Sequence, residues 1–282
     1  MSRAQPLEAP VSLLPLRRPL MTGEVLDAAF RLFRAGLLRT LPYSGLAVLV
    51  FELPTVYSTF FVGPLLLQKG ARAFAISPYK PVTWFIVAAL ATALLGVITL
   101  RLQAVSKGVR PRFRREITAV FIRWPAALIA TLGALGFPLA LFSLGSVITN
   151  ILPGVGLALL GAPLLWPTAL FVVALPAFWC DGLGPFAAIA QALRVSRRRS
   201  WRMFGALLAT ACMVAVFYAV SAIIVGMMSP MLGRADLFLV AAVSSMLWLV
   251  VGAFGVPFAV AVLIVAYEDL KLRELERRGG GA

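Results

Sequence analysis

The chain is 282 residues long, 61% of them hydrophobic and 13% charged, with a mean hydropathy of +0.95. That composition excludes an ordinary water-soluble globular domain and describes a polytopic membrane protein. There is no histidine, which excludes imidazole general bases and histidine-ligated zinc or haem, and the two cysteines, Cys180 and Cys212, have neither disulfide-framework nor metal-ligand spacing.

Residues 1–20 carry four prolines, and their short apolar run Val11–Leu16 is broken by Pro15 and followed by Arg17 and Arg18, the wrong order of regions for a signal peptide. A mobile cytoplasmic tail is expected there. Next, Glu24, Asp27, Arg31 and Arg34 recur at spacings of three, four and three and share one helical face, while Val25, Leu26, Phe30, Leu32 and Phe33 face elsewhere. The pattern predicts an interfacial helix capped by Thr22, with acidic residues in its first turn, an Asp27–Arg31 pair one turn apart, and arginine heads among lipid phosphates.

Six stretches are long and apolar enough to cross a bilayer: Leu41–Val62, Val82–Leu100, Ala126–Thr149, Val155–Trp179, Met203–Met228 and Leu237–Ala266. The third and fourth are joined by a Pro-Gly turn and read as a tight hairpin. Lysine and arginine are retained on the cytoplasmic side. The segment up to Arg39, the 101–125 and 180–202 loops and the C-terminal tail hold 22 of them, against four in the alternate connections. That split fits an even number of spans with both termini inside, and localisation in a bacterial cytoplasmic membrane is expected.

The second basic segment, Arg112 to Trp124, and the third, Phe186 to Arg199 with Gln191, Arg194 and Arg198 in register, also read as amphipathic helices, the third capped by Asp181. The expected fold class is therefore all-α integral membrane: six transmembrane helices with three cytoplasmic interfacial amphipathic helices, each preceding a transmembrane hairpin. The single membrane domain is expected over 21–270, with repeats near 21–100, 110–180 and 184–270, and a charged cytoplasmic tail over 271–282. On a helical continuation of the last span Glu268, Asp269, Glu274 and Glu276 alternate with Lys271, Arg273, Arg277 and Arg278, as in a solvated, self-paired helix end.

Arg18 to Arg34, Gly182-Leu183-Gly184-Pro185 followed by Arg194–Trp201, and Tyr267-Glu268-Asp269-Leu270-Lys271-Leu272-Arg273 resemble three signatures of the membrane domain attached to some bacterial glycerophosphodiester phosphodiesterases and of related six-span inner-membrane proteins. The resemblance covers nearly the whole chain and implies the membrane fold. In the fusions catalysis belongs to a separate soluble domain that uses histidines and metal-binding carboxylates, so nothing catalytic carries over to this chain.

Among residues that could carry chemistry, Glu52 is the one acid inside a predicted span, where a charge costs on the order of 3 kcal/mol. With Pro54 two residues later, it fits either a transport or proton-relay site or a simple bond to a neighbouring helix. Pro163 and Pro167, one turn apart, predict a kinked fourth span, which fits gating or ordinary packing irregularity. Small-residue pairs Ala158 with Ala162 and Gly252 with Gly255 would allow close helix approach. Trp84, Trp124, Trp179 and Trp201 fall at span ends as interfacial anchors, and the cysteines read as packing residues.

No nucleophile elbow, P-loop or dinucleotide fingerprint is present. No cofactor, metal or nucleic-acid partner is expected, and the formal charge of +15 reads as topology and lipid contact. The functional expectation is a non-enzymatic scaffold or anchor. Arg31, Arg34, Arg112, Arg194, Arg197 and Arg198 would contact anionic lipid headgroups, with a possible protein partner. The alternative is a small transporter or channel lined by Glu52 and the broken fourth span.

Overall fold

The structure, a computed structural model, describes residues 16, 18–57, 79–109, 113–151, 173–196, 200–232 and 237–279. Among the described residues there are seven helices and no strand: α1 (Thr22–Tyr57), α2 (Tyr79–Ser106), α3 (Phe113–Ile151), α4 (Ala174–Cys180), α5 (Pro185–Ser196), α6 (Ser200–Leu232) and α7 (Leu237–Gly279). Three of them contain stretches long and apolar enough to cross a membrane: Phe85–Ser106, Trp201–Met228 and Val243–Arg278. Most of the expected fourth span, with Ala158, Ala162, Pro163 and Pro167, lies outside the described residues.

The helix ends follow local chemistry, with two departures from expectation. At the start of α1 the first helical bond runs from the Val25 N–H to the Met21 carbonyl at 2.9 Å, so Met21 is the cap and Thr22 is already helical. The Glu24 carboxylate reaches back to the Met21 N–H at 2.7 Å, which is the acidic half of a capping box. Helix α2 closes with the Val109 N–H on the Ala104 carbonyl and the Gly108 N–H on the Val105 carbonyl, with Gly108 at φ 68°, a Schellman ending. Asp181 does not cap α5. It follows the last residue of α4, Gly182 turns the chain at φ 72°, and α5 starts with Pro185 in its first turn and the Gly184 carbonyl accepting from Ala188.

The first two basic amphipathic segments are not separate helices. Residues 22–34 are the opening turns of α1, which continues past Pro42 to Tyr57, and 113–124 are the opening turns of α3. No glycine or proline breaker separates Arg34 from Leu41 other than Gly36, so nothing halts the helix where the composition turns apolar. Only the third basic segment forms a helix of its own, α5, which buries Ala188, Ala192 and Val195 and exposes Phe186 and Arg194.

Helix α7 is the centre of the packing. Ala261, Val262, Ile264 and Tyr267 are fully buried, and α1 and α6 run along it as antiparallel neighbours. The α1–α7 seam is tight: the Ser44 hydroxyl donates to the Ala253 carbonyl at 2.6 Å, and a side chain at Gly252 would strike Val48. At Gly255 a side chain would meet Val214 of α6 only at ordinary contact distance, so of the expected Gly252 and Gly255 pair it is Gly252 that lies at a tight helix approach. Helix α6 is the opposite case, apolar throughout yet exposing Val216, Ile223 and Met227, as a lipid-facing helix does.

Of the expected tryptophan anchors, Trp201 is exposed and stacks on Phe204, whereas Trp124 donates its indole N–H to the Ala89 carbonyl of α2 at 2.8 Å. Trp179 is no anchor. It is 3% exposed and seated against Gly96 of α2, where absence of a side chain makes room for the indole.

Candidate functional site

The N-terminus of α1, the C-termini of α2, α4 and α7 and the N-termini of α3, α5 and α6 meet at one end of the bundle, and the polar side chains concentrate there. Leu20, the last residue of the expected tail, is held from both sides. Its N–H donates to Asp269 at 2.7 Å, and its carbonyl accepts from Arg273 at 2.5 Å and Arg202 at 3.0 Å. Asp269 is 4% exposed and pairs with Arg273 at 2.9 Å, so this part of the C-terminal charged run is internal rather than solvated. Glu274, paired with Arg277 and Arg278, fits the self-paired expectation. Arg18 adds an outer latch on Glu24 at 2.6 Å, and with the Met21 N–H it holds that exposed carboxyl below the usual range.

A second knot joins α4 to α7. The buried Tyr267 hydroxyl donates to Asp181 at 2.5 Å and Lys271 donates to the same carboxylate at 2.8 and 3.0 Å. The last carbonyls of α4 have no partner within their own helix. Gln103 of α2 donates to the Cys180 carbonyl at 2.9 Å, and Arg123 of α3 donates to those of Gly182, Leu183 and Phe178 while lying over the Phe178 ring. Burial pushes the Cys180 thiol up to about 12, with Glu268 and Asp181 adding to the shift, so it stays protonated and is a poor nucleophile. A third knot is the nearly buried pair Arg101–Glu116 at 2.8 Å; Arg101 also donates to the Arg39 carbonyl and covers the Tyr43 ring.

Two sets of arginines stand out among the described residues. Arg101, Arg123, Arg202 and Arg273 turn inward and satisfy backbone carbonyls of neighbouring segments. Arg31, Arg34 and Arg194 turn outward; Arg31 pairs with Asp27 as its spacing predicts, with 66% of its side chain still exposed. Arg112, Arg197 and Arg198 lie outside the described residues. Sequence reasoning missed the inward set because a stitching arginine and a headgroup arginine have the same local pattern. The one usable signal was the three resemblance segments, which meet here: Leu20 on Asp269, and Asp181, beside Gly182, on Tyr267 and Lys271.

Glu52 sits far from these knots along α1, half-buried and one turn beyond Val48, which packs at Gly252 of α7. Tyr218 packs edge-on against Trp248 of α7, and its hydroxyl lies beside Gly252, so Glu52 belongs to the contact of α1, α6 and α7. Among the described residues no three of the acidic and cysteine side chains come together as a metal would require. No family model, curated protein or solved structure matches this chain.

Proposed function

We propose that this chain is a six-span, non-enzymatic scaffold of a bacterial cytoplasmic membrane, with both termini inside. Its outward arginines hold anionic lipid headgroups and leave the same face available to a partner protein. Membership of the membrane-domain family it resembles is part of this reading. The observation that carries it is the division of arginines at one end of the bundle: one set is consumed in stitching the helix ends, and the other, Arg31, Arg34 and Arg194, is exposed beside the apolar residues Phe30, Phe186 and Leu193. Exposed arginine next to exposed aromatic and aliphatic carbon suits the boundary between headgroups and acyl chains and suits neither water nor hydrocarbon alone. Three candidate spans support the membrane placement, and the excess of basic residues at this end supports its orientation.

The test is lipid retention by the full chain. Purified in mild detergent, the wild type retains phosphatidylglycerol and cardiolipin in excess over their share of the membrane, and replacing Arg31, Arg34, Arg194 and Arg197 together by Gln removes that excess without loss of insertion. Unchanged retention contradicts the reading. The rival reading, a transporter using Glu52, is favoured if Glu52→Gln abolishes a cellular phenotype that the arginine variant keeps.

A further inference from the structure

Between α1, α6 and α7 runs an apolar groove of about 340 Å³ lined by five phenylalanines, Phe30, Phe33, Phe217, Phe254 and Phe258, together with aliphatic residues and Gly255. The volume is at the small end of ligand sites, which span about 300–1,000 Å³, and no lining residue offers a side-chain hydrogen bond to water. Its walls on α6 and α7 belong to stretches apolar enough to cross a membrane, so the groove opens where acyl chains lie. Its α1 end is held in shape by aromatic contacts: Phe258 meets the rings of Phe30 and Phe33 edge to face at 6.5 and 5.7 Å, and those two rings lie tilted against each other at 6.1 Å.

One turn along α1 from Phe30, at the edge of the outward charged face, stands Arg34. It is exposed, and among the described residues no carboxylate pairs with it, whereas its neighbour Arg31 shares its charge with Asp27 in an exposed pair. A dry aromatic slot in the plane of the acyl chains, with an exposed arginine that no carboxylate pairs one helical turn from its lining residue Phe30, complements one kind of molecule, a phospholipid whose headgroup carries net negative charge. We propose that the groove seats an acyl chain of an anionic phospholipid whose phosphate is held by Arg34. This rests on the headgroup-binding reading above and adds a defined site to it. The phosphate accepts from the guanidinium, and the acyl chain exchanges bulk lipid for fixed ring faces. The headgroup charge therefore selects the ligand, and the slot fixes its position.

The test uses the full chain in nanodiscs of phosphatidylcholine doped with phosphatidylglycerol carrying a photoreactive group on one acyl chain, with photoreactive phosphatidylcholine as the control probe. Cross-linked peptides are then mapped. The proposal expects phosphatidylglycerol to label 213–217 and 250–258 at least about fivefold above the control probe. Val250→Trp, at a position 49% exposed on the groove wall, should abolish that excess by filling the slot. Arg34→Gln should bring the two probes level, and Arg34→Lys should restore part of the difference. Equal labelling by both probes in the wild type, or cross-links from the groove to a second copy of the chain, overturns the proposal. If phosphatidylglycerol is retained overall but labels other segments, the groove assignment falls and the headgroup reading stands; if it is not retained at all, both fall.

Discussion

Replacing Asp181 by Ala removes the acceptor that joins α4 to α7, and its cost follows from what is left behind. The Tyr267 hydroxyl sits on a fully buried side chain and loses its charge-assisted partner at 2.5 Å, a loss of about 2–3 kcal/mol. Lys271 loses an ion pair whose two side chains are 35% and 23% exposed, which contributes no more than about 1 kcal/mol after solvent screening. The sum is about 2–4 kcal/mol. Tyr267→Phe removes the donor but leaves Asp181 with Lys271, so it should cost only about 1–2 kcal/mol. In the double variant the orphaned hydroxyl is gone, so the two effects should fall short of additivity by about 1–2 kcal/mol. Equilibrium unfolding of the full chain in mixed micelles, followed by tryptophan fluorescence, measures all three. Strict additivity, or an Asp181→Ala cost below about 0.5 kcal/mol, refutes the idea that this contact ties the two helices.

Two further outcomes are expected. A Cβ at Gly96 would lie 2.5, 2.7 and 2.9 Å from three atoms of the rigid, buried Trp179 ring, so Gly96→Ala should destabilise by about 1–3 kcal/mol, whereas Gly226→Ala, with open space around it on α6, should be neutral or stabilising; thermal melts in one detergent rank the pair, and equal melting points contradict the packing. Because the Cys180 thiol is pushed up to about 12, it stays protonated well above the pH at which an ordinary thiol ionises. Its alkylation by a maleimide in the folded chain should therefore remain slow through pH 9, reaching the rate of an exposed thiol only in denaturant; rapid native labelling at pH 8 would contradict the burial.

Much of the helical framework was legible because it rests on local rules. The apolar runs over 82–100, 203–228 and 237–266 fall within α2, α6 and α7, the Glu24 to Arg34 face is outward on α1, and the helix expected from Phe186 begins one residue earlier, at Pro185. What periodicity could not give is partnership across the chain. Asp181 read as a cap because an acid before Gly-Leu-Gly-Pro commonly is one, yet its partners lie 86 and 90 residues away. Asp269 read as solvated because it alternates with arginines, yet Leu20, 249 residues distant, is its hydrogen-bond donor. Trp179 read as an anchor from its place at a span end, and only the bare backbone of Gly96 on another helix shows why it is interior. Where the amphipathic segments end was also illegible: amphipathy changes at Arg34, but the backbone of α1 has no reason to stop there.

The proposed topology crosses hydrocarbon six times with the arginine-rich helix ends gathered on the inner side, and single-cysteine accessibility tests it most directly. In a chain with Cys180 and Cys212 replaced by Ser, cysteines introduced one at a time at residues 110, 190 and 276 should be shielded from a membrane-impermeant maleimide in intact cells and labelled after permeabilisation. Those at 70, 153 and 235 should be labelled without it. Labelling of 110 and 190 from opposite sides of the membrane would contradict the account.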